Sequence, residues 1–264
     1  GIVFFGLYLL GIILAVLLAR LFRKLFFKQE DIPFVMELPP YRIPTYKSVL
    51  IHVWDKAKEY LQKMGTIILV ASVIIWFLGY FPRAEVEKRT EARITEVLNN
   101  AEVHSAKERE EIIDSIRLVG HTEQQEGSIL GQMGKAIEPA LAPLGFDWKM
   151  SIALLSGLPA KEVVVGAMGV IYTGNSDDSD EASVQLSERI KQEVRPDGTH
   201  AFTPLIALSF MVFVLLYFPC IATVTAVGRE AGSYKWSLFV MVYTCLLAWV
   251  TSFLVYQIGS WLGF

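Results

Sequence analysis

The chain has 264 residues, 24 Lys+Arg against 27 Asp+Glu, a formal net charge of −3 and a hydrophobic fraction of 53%. No global basic field draws it to nucleic acid. Residues 81–130 hold 18 of the 51 charges and residues 173–201 another 10, leaving 23 for the remaining 185 residues. A water-soluble fold spreads its charges over every surface, so this partition points to bilayer spans joined by aqueous segments and excludes an ordinary soluble enzyme. Two cysteines, Cys220 and Cys245, build neither a disulfide framework nor a multi-cysteine zinc site.

Gly1–Ala19 is uncharged for 19 residues, enough for a helix to cross a bilayer. It starts without Met or a basic leader, unlike a cleaved signal peptide, and reads as part of a longer protein. Residues 20–63 carry nine Lys/Arg against five Asp/Glu, a bias that predicts the cytoplasmic side. Within them Val49, Leu50, Val53, Trp54, Ala57, Tyr60 and Leu61 recur at helical spacing opposite Lys47, Lys56, Lys58, Glu59 and Lys63. That pattern predicts an amphipathic helix lying in the headgroup region. Met64–Phe81 is the second uncharged run. Residues 83–127 read as a charged soluble helical insert outside the cytoplasm, with Ser105 and Glu108 as a capping box.

Ser128–Phe146 is apolar but interrupted by Gly131, Gly134, Pro139, Pro143 and Gly145, which predicts a broken or re-entrant segment. Its Gly131-Gln132-Met133-Gly134-Lys135-Ala136 stretch is too short for a phosphate loop and lacks the Ser/Thr that reaches Mg²⁺. Met150–Tyr172 has the length of a span, and residues 173–201 form an acidic outer loop. Ala201–Gly228 and Trp236–Phe264 are uncharged for 28 and 29 residues, separated by a turn carrying Arg229 and Lys235. The expectation is an all-α polytopic membrane protein with about five transmembrane helices and one broken segment. Its parts are 1–82, 83–127, 128–172, 173–201 and 202–264.

Chemistry concentrates at two proline-bearing breaks. In Ser156-Gly157-Leu158-Pro159-Ala160-Lys161-Glu162 an ionisable pair sits at span depth, where each charge needs a partner or a polar pathway. Lys161 and Glu162 point about 100° apart on a helix, so separate partners suit them better than each other. In a continuing helix Pro159 frees the Leu155 carbonyl, and Pro219 frees that of Leu215 beside the Cys220 thiol. Interrupted helices of this kind line transport sites. A ligand set of Cys220, Glu162 and the Leu215 or Leu155 backbone carbonyl suits a borderline transition metal such as Fe²⁺ better than Mg²⁺ or Ca²⁺. A plain packing pair at 161–162 and an ordinary small apolar Cys220 are the alternatives. Cys245 is read as structural, and His52, His104, His121 and His200 as surface residues.

Four stretches resemble the membrane domain of the bacterial ferrous iron transport protein B family: Glu37-Leu38-Pro39-Pro40-Tyr41-Arg42-Ile43-Pro44, Gly65-Thr66-Ile67-Ile68-Leu69, Ala160-Lys161-Glu162-Val163-Val164-Val165-Gly166 and Tyr217-Phe218-Pro219-Cys220-Ile221-Ala222-Thr223. The resemblance implies a fragment of a multi-pass Fe²⁺ transporter of the bacterial cytoplasmic (inner) membrane. It implies the second of two Gate regions here, around Phe202–Gly228, and the first upstream. It also implies a GTP- and Mg²⁺-binding domain upstream and absent from this chain, so the fragment itself is expected not to be an enzyme. Implied partners are the lipid bilayer, the upstream half of the same protein, small accessory Feo proteins and a second copy, with no nucleic acid. The competing readings are a Gate-type carrier of organic solutes such as nucleosides and a non-transporting membrane scaffold. Convergence of the two breaks in space separates transporter from scaffold.

Overall fold

The computed structural model describes residues 1–26, 45–82, 84–99, 106–173, 186–188, 190–191, 194 and 200–263. Among them the chain is helical, with no strand and a single isolated antiparallel bridge, Val194 to His200. The Pro39-Pro40 stretch, Ser105 of the expected capping box and most of 173–201 lie outside the described residues. The chain divides into two units, Gly1–Thr66 and Ile67–Phe264.

The first unit holds α1 (Ile2–Phe26) and the start of α2 (Tyr46–Tyr80). Helix α1 is apolar up to Arg20 and basic in its last turns, and Phe4, Phe5, Tyr8, Leu17 and Leu21 are exposed. An apolar helix with no protein cover is stable only in hydrocarbon, where every backbone polar group is satisfied within the helix. Helix α2 corrects the sequence reading. The amphipathic stretch from Tyr46 and the apolar run beginning at Met64 form one continuous 35-residue helix. No Pro lies between them, and Gly65 alone is too weak a breaker, costing about 1 kcal/mol in a helix interior.

The second unit begins with the end of α2 and the charged hairpin α3 (Ala84–Asn99) and α4 (Ala106–Gly127). Gly120 of α4 lies against Thr90 of α3, and Arg93 pairs with Glu123 at 3.3 Å. Ser128 then caps α5 (Ile129–Leu141), its hydroxyl accepting from the Gly131 N–H at 2.9 Å. Of the expected interruptions, Gly131, Gly134 and Pro139 lie within α5, and the break falls at Pro143 and Gly145. It comes at a 3₁₀ turn, Ala142–Leu144, and at Gly145 with φ +84°, a conformation that favours glycine. A Cβ there would meet the Tyr256 ring at 2.7 Å.

Asp147 opens α6 (Trp148–Ser156) by accepting from the Met150 N–H at 2.8 Å, and α6 returns along α5. The approach is close because Gly134 faces α6; a Cβ there would meet Ile152 at 2.8 Å. Helices α7 (Val163–Thr173), α8 (Pro204–Leu216), α9 (Ile221–Glu230) and α10 (Tyr234–Trp261) complete the unit. The core gathers Leu144, Phe146, Met150, Ala153, Val164, Phe210, Phe213 and Ala248, all buried. Phe146 lies edge-on to Phe210 and Phe213, at 5.4 and 5.5 Å between centroids.

Helices α8 and α10 are held by reciprocal bonds. The Ser209 hydroxyl donates to the Ser252 carbonyl at 3.3 Å, and the Ser252 hydroxyl donates to the Ser209 carbonyl at 3.1 Å. Small polar residues let membrane helices approach and hydrogen-bond, which replaces the hydrophobic drive that lipid removes.

Three segments among the described residues are long and apolar enough to cross a membrane: Ile2–Leu25, Pro204–Glu230 and Tyr234–Trp261. Ile68–Tyr80 and Val163–Thr173 are shorter apolar helices. The second of these is short because the expected span from Met150 to Tyr172 is cut into α6 and α7. The protein is an all-α, multi-pass membrane protein with discontinuous helices at Pro159 and Pro219.

Candidate functional site

The first break separates α6 from α7. Helix α6 ends at Ser156, Gly157 caps it, and α7 resumes at Val163 after a tight turn in which Val163 and Val164 donate to the carbonyls of Ala160 and Lys161 at 3.1 Å each. Pro159 lacks an N–H and disfavours helical geometry at Leu158, so the helix stops before it. This removes the reason for expecting a freed Leu155 carbonyl. The Leu155 carbonyl is not orphaned, because the Leu158 N–H donates to it at 3.2 Å. The argument from Pro159 assumed a helix that continues, and this one has already ended.

The second break separates α8 from α9. Tyr217 leaves the helix with ψ −175°, and α9 starts at Ile221 after Cys220 at φ −54°, ψ 150°. Pro219 cannot donate to the Leu215 carbonyl, so α8 ends with carbonyls that need other partners. The Lys161 ammonium supplies them, its Nζ donating to the carbonyls of both Val214 and Leu215 at 3.1 Å. The same nitrogen lies 5.1 Å from the centre of the Tyr217 ring. A cation at a helix C-terminus and over an aromatic face is favoured twice.

The two breaks meet. Besides the Lys161 bonds, the Ile221 N–H at the head of α9 donates to the Leu158 carbonyl at 3.4 Å. Tyr217 is 4% exposed and packs its hydroxyl against Gly157, where a Cβ would lie 2.6 Å from the oxygen. That hydroxyl is buried with no hydrogen-bond partner. Cys220 is half-buried, with Sγ 3.2 Å from the Thr223 hydroxyl, and Glu162 is exposed. Both lie within electrostatic reach of the Lys161 ammonium. Leu215, Cys220, Glu162 and both prolines therefore belong to one locality. Among the described residues no three His, Cys, Asp or Glu side chains come together, so any ion held here depends on backbone oxygens and water as well as side chains.

Other residues close the remaining backbone gaps and were not singled out by sequence reasoning. The Trp249 indole N–H donates to the Ala140 carbonyl at 2.8 Å, and the Gln257 amide donates to the Pro143 carbonyl at 3.3 Å. Both come from α10 and serve the break at 142–145. Their eight-residue separation places them near one face of the helix, but nothing in the sequence names the carbonyls they reach. Lys135 pairs with Glu126 and lies over the Trp148 ring, so the short glycine-lysine stretch makes structural contacts. Cys245 is exposed on α10.

The family model described as "Nucleoside recognition", the Gate family, matches residues 61–234, which contain both breaks. The chain belongs to the Gate family. The match is wider than the Phe202–Gly228 region implied by resemblance. The model described as "Ferrous iron transport protein B C terminus" matches residues 4–56, ahead of it. These matches show the likeness to the membrane part of ferrous iron transport protein B that the motifs carried.

Among curated relatives, a Porphyromonas gingivalis "Fe(2+) transport protein A/Fe(2+) transporter FeoB fusion protein" is 57% identical over 98% of this chain and 31% of its own length. A Leptospira biflexa "Fe(2+) transporter FeoB" is 37% identical over 100% of this chain and 34% of its own length. The Campylobacter jejuni "Fe(2+) transporter FeoB" is 38% identical over 97% and 36%. The chain thus spans about a third of the length of these relatives. No solved structure matches it.

Proposed function

We propose that this Gate-family chain is the C-terminal membrane part of a ferrous iron transporter and forms one side of its ion pathway. One observation carries the reading: two broken helices meet at a cluster of helix-terminal carbonyls flanked by a thiol and a carboxylate. Carbonyls, a thiol and a carboxylate are donors for a cation of intermediate softness, and a scaffold has no use for their meeting inside the bilayer. Weak, incomplete ligation of this kind lets an ion leave as well as enter. The relatives' names supply the identity of the cargo, Fe²⁺. The family description mentions nucleosides, but a base calls for side-chain amides, and neither break, 156–162 or 217–223, carries an Asn or Gln; they offer Glu162 and Cys220 instead.

In this reading the metal contacts come from Cys220, Glu162 and the Leu215 carbonyl. The rest of the pathway, and a domain binding GTP with Mg²⁺, lie in an upstream part of the same protein, in keeping with the greater length of the relatives. The 20–63 connection faces the cytoplasm of a bacterial inner membrane, and 83–127 and 173–201 face outward. A small accessory Feo protein is a partner, in line with the fused name of the Porphyromonas relative. Self-association of the transporter also belongs to this reading.

The test is Fe²⁺ uptake by the full-length protein in proteoliposomes. Cys220→Ser removes the soft ligand and Glu162→Gln removes the charge, and each is expected to lower uptake by about tenfold or more, the effect of losing roughly 1.4 kcal/mol of ion binding. Membrane insertion stays normal in both. Parental uptake rates in both variants would overturn the assignment.

A further inference from the structure

We infer that the Lys161 ammonium is a tethered occupant of the seat the cargo ion uses, a resident competitor that a divalent cation must displace from the Val214 and Leu215 carbonyls. The inference rests on the transport reading above and adds how the same site is kept closed.

The geometry argues for it in three ways. Lys161 Nζ is 3.1 Å from each of two successive carbonyl oxygens at the C-terminal end of α8, the end where a helix attracts cations. Divalent cations sit about 2.0–2.6 Å from oxygen ligands, so an ion bound to either carbonyl would lie within about 6 Å of the ammonium, and closer on the same side. Two cations so near each other in a poorly screened environment repel strongly. Either the ion or the ammonium holds the carbonyls.

A purely structural cap does not need a charge. At the break at 142–145 the exposed carbonyls of Ala140 and Pro143 are satisfied by the neutral donors Trp249 and Gln257. A lysine at span depth is costly, so its use at the second break calls for a reason beyond hydrogen bonding. The third observation is Tyr217. Its ring faces the ammonium, while its buried hydroxyl has no partner against Gly157. The arrangement around the seat is therefore incomplete with Lys161 docked.

Two consequences follow. A monovalent ion offers the carbonyls no more charge than the ammonium already there, whereas a divalent ion offers twice as much. Lys161 thereby favours divalent cargo. Lys161 also ties the 157–162 turn to α8, so its departure leaves, among the described residues, the Ile221–Leu158 hydrogen bond as a polar link between the two breaks. Ion arrival loosens their junction.

The experiment uses the full-length protein in lipid nanodiscs and proteoliposomes. Acylation of the Lys161 amine is followed by peptide mass spectrometry with and without Mn²⁺, a redox-stable probe. Labelling is expected to rise severalfold as Mn²⁺ displaces the amine. Fe²⁺ uptake is then compared in Lys161→Met and in Lys161→Gln, which keeps an N–H donor without the charge. If the seat is open about a tenth of the time in the parent, the KM for Fe²⁺ falls by about tenfold in both variants. A structural cap gives the opposite: KM unchanged or raised in Lys161→Met, with Lys161→Gln closer to the parent and labelling indifferent to Mn²⁺. A parent that takes up no Fe²⁺ removes the transport reading and this inference with it. A parent that transports, with variant KM values unchanged or raised, removes this inference alone.

Discussion

The breaks at 142–145 and at 217–220 face the same physical problem and solve it with different chemistry. In each, a helix ends within apolar surroundings and leaves carbonyls that lipid cannot satisfy. At the first, α10 delivers an indole and an amide to Ala140 and Pro143. At the second, the neighbouring break delivers an ammonium to Val214 and Leu215. Neutral donors make a fixed joint. A charged donor on a flexible side chain makes a joint that another cation can open, and that break is also the one bearing the thiol and the carboxylate.

This comparison can be broken at several points, and the largest effect is expected at Gly157. A Cβ there meets Val164 and the Tyr217 hydroxyl, so Gly157→Ala forces the two breaks apart and costs about 1–3 kcal/mol through overpacking. Thermal unfolding in detergent reads the loss, and Fe²⁺ uptake is expected to fall with it. Full stability and uptake would mean that the contact between the breaks is loose and their convergence incidental.

Trp249→Phe tests the neutral joint. It leaves the Ala140 carbonyl without its indole donor and is expected to cost about 1 kcal/mol of stability. The KM for Fe²⁺ stays at the parental value, unlike that of the Lys161 variants. A KM shift in Trp249→Phe would erase the distinction between the two joints.

The smallest effect belongs to the Ser209–Ser252 clamp, which holds α8 against α10 beside the 142–145 break, where the Ser209 hydroxyl also reaches the Leu144 carbonyl at 3.3 Å. Ser252→Ala removes one hydroxyl bond and is expected to cost about 0.6 kcal/mol, the average for such bonds between membrane helices. A denaturation midpoint measured beside the parent resolves it. A loss several times larger would show that the clamp, rather than the packing of Phe146, Phe210 and Phe213, sets the position of α8.

Much of the architecture was legible because lipid imposes simple rules. An uncharged run as long as Gly1–Ala19 has few folds open to it, and prolines at 159 and 219 remove backbone donors wherever they stand. The interruption of both helices followed from residue chemistry alone. Boundaries were harder. Met64 looked like the start of a span because charge stops there, yet α2 runs through it unbroken. Of the glycines and prolines that interrupt 128–146, Gly131, Gly134 and Pro139 sit within α5, which ends at Leu141, and the break falls at Pro143 and Gly145. Charge and proline mark what a segment can tolerate, while helix ends depend on what packs around them.

The candidate site divides along the same line. The residue types came from the sequence, and so did the freeing of the Leu215 carbonyl, since Pro219 lacks an N–H in any fold. Leu155 failed because its release assumed that α6 continued past Ser156, which depends on the turn actually formed. The sequence by itself determined an all-helical membrane chain with two proline breaks carrying ionisable and soft side chains. Only the tertiary structure decided that these breaks touch, that Lys161 reaches 53 and 54 residues along the chain to cap α8, and that Trp249 and Gln257 close the other break. The physical reason is that backbone losses are local and follow from residue type. The partners that make them good are reached across space, through helix packing that no single segment encodes.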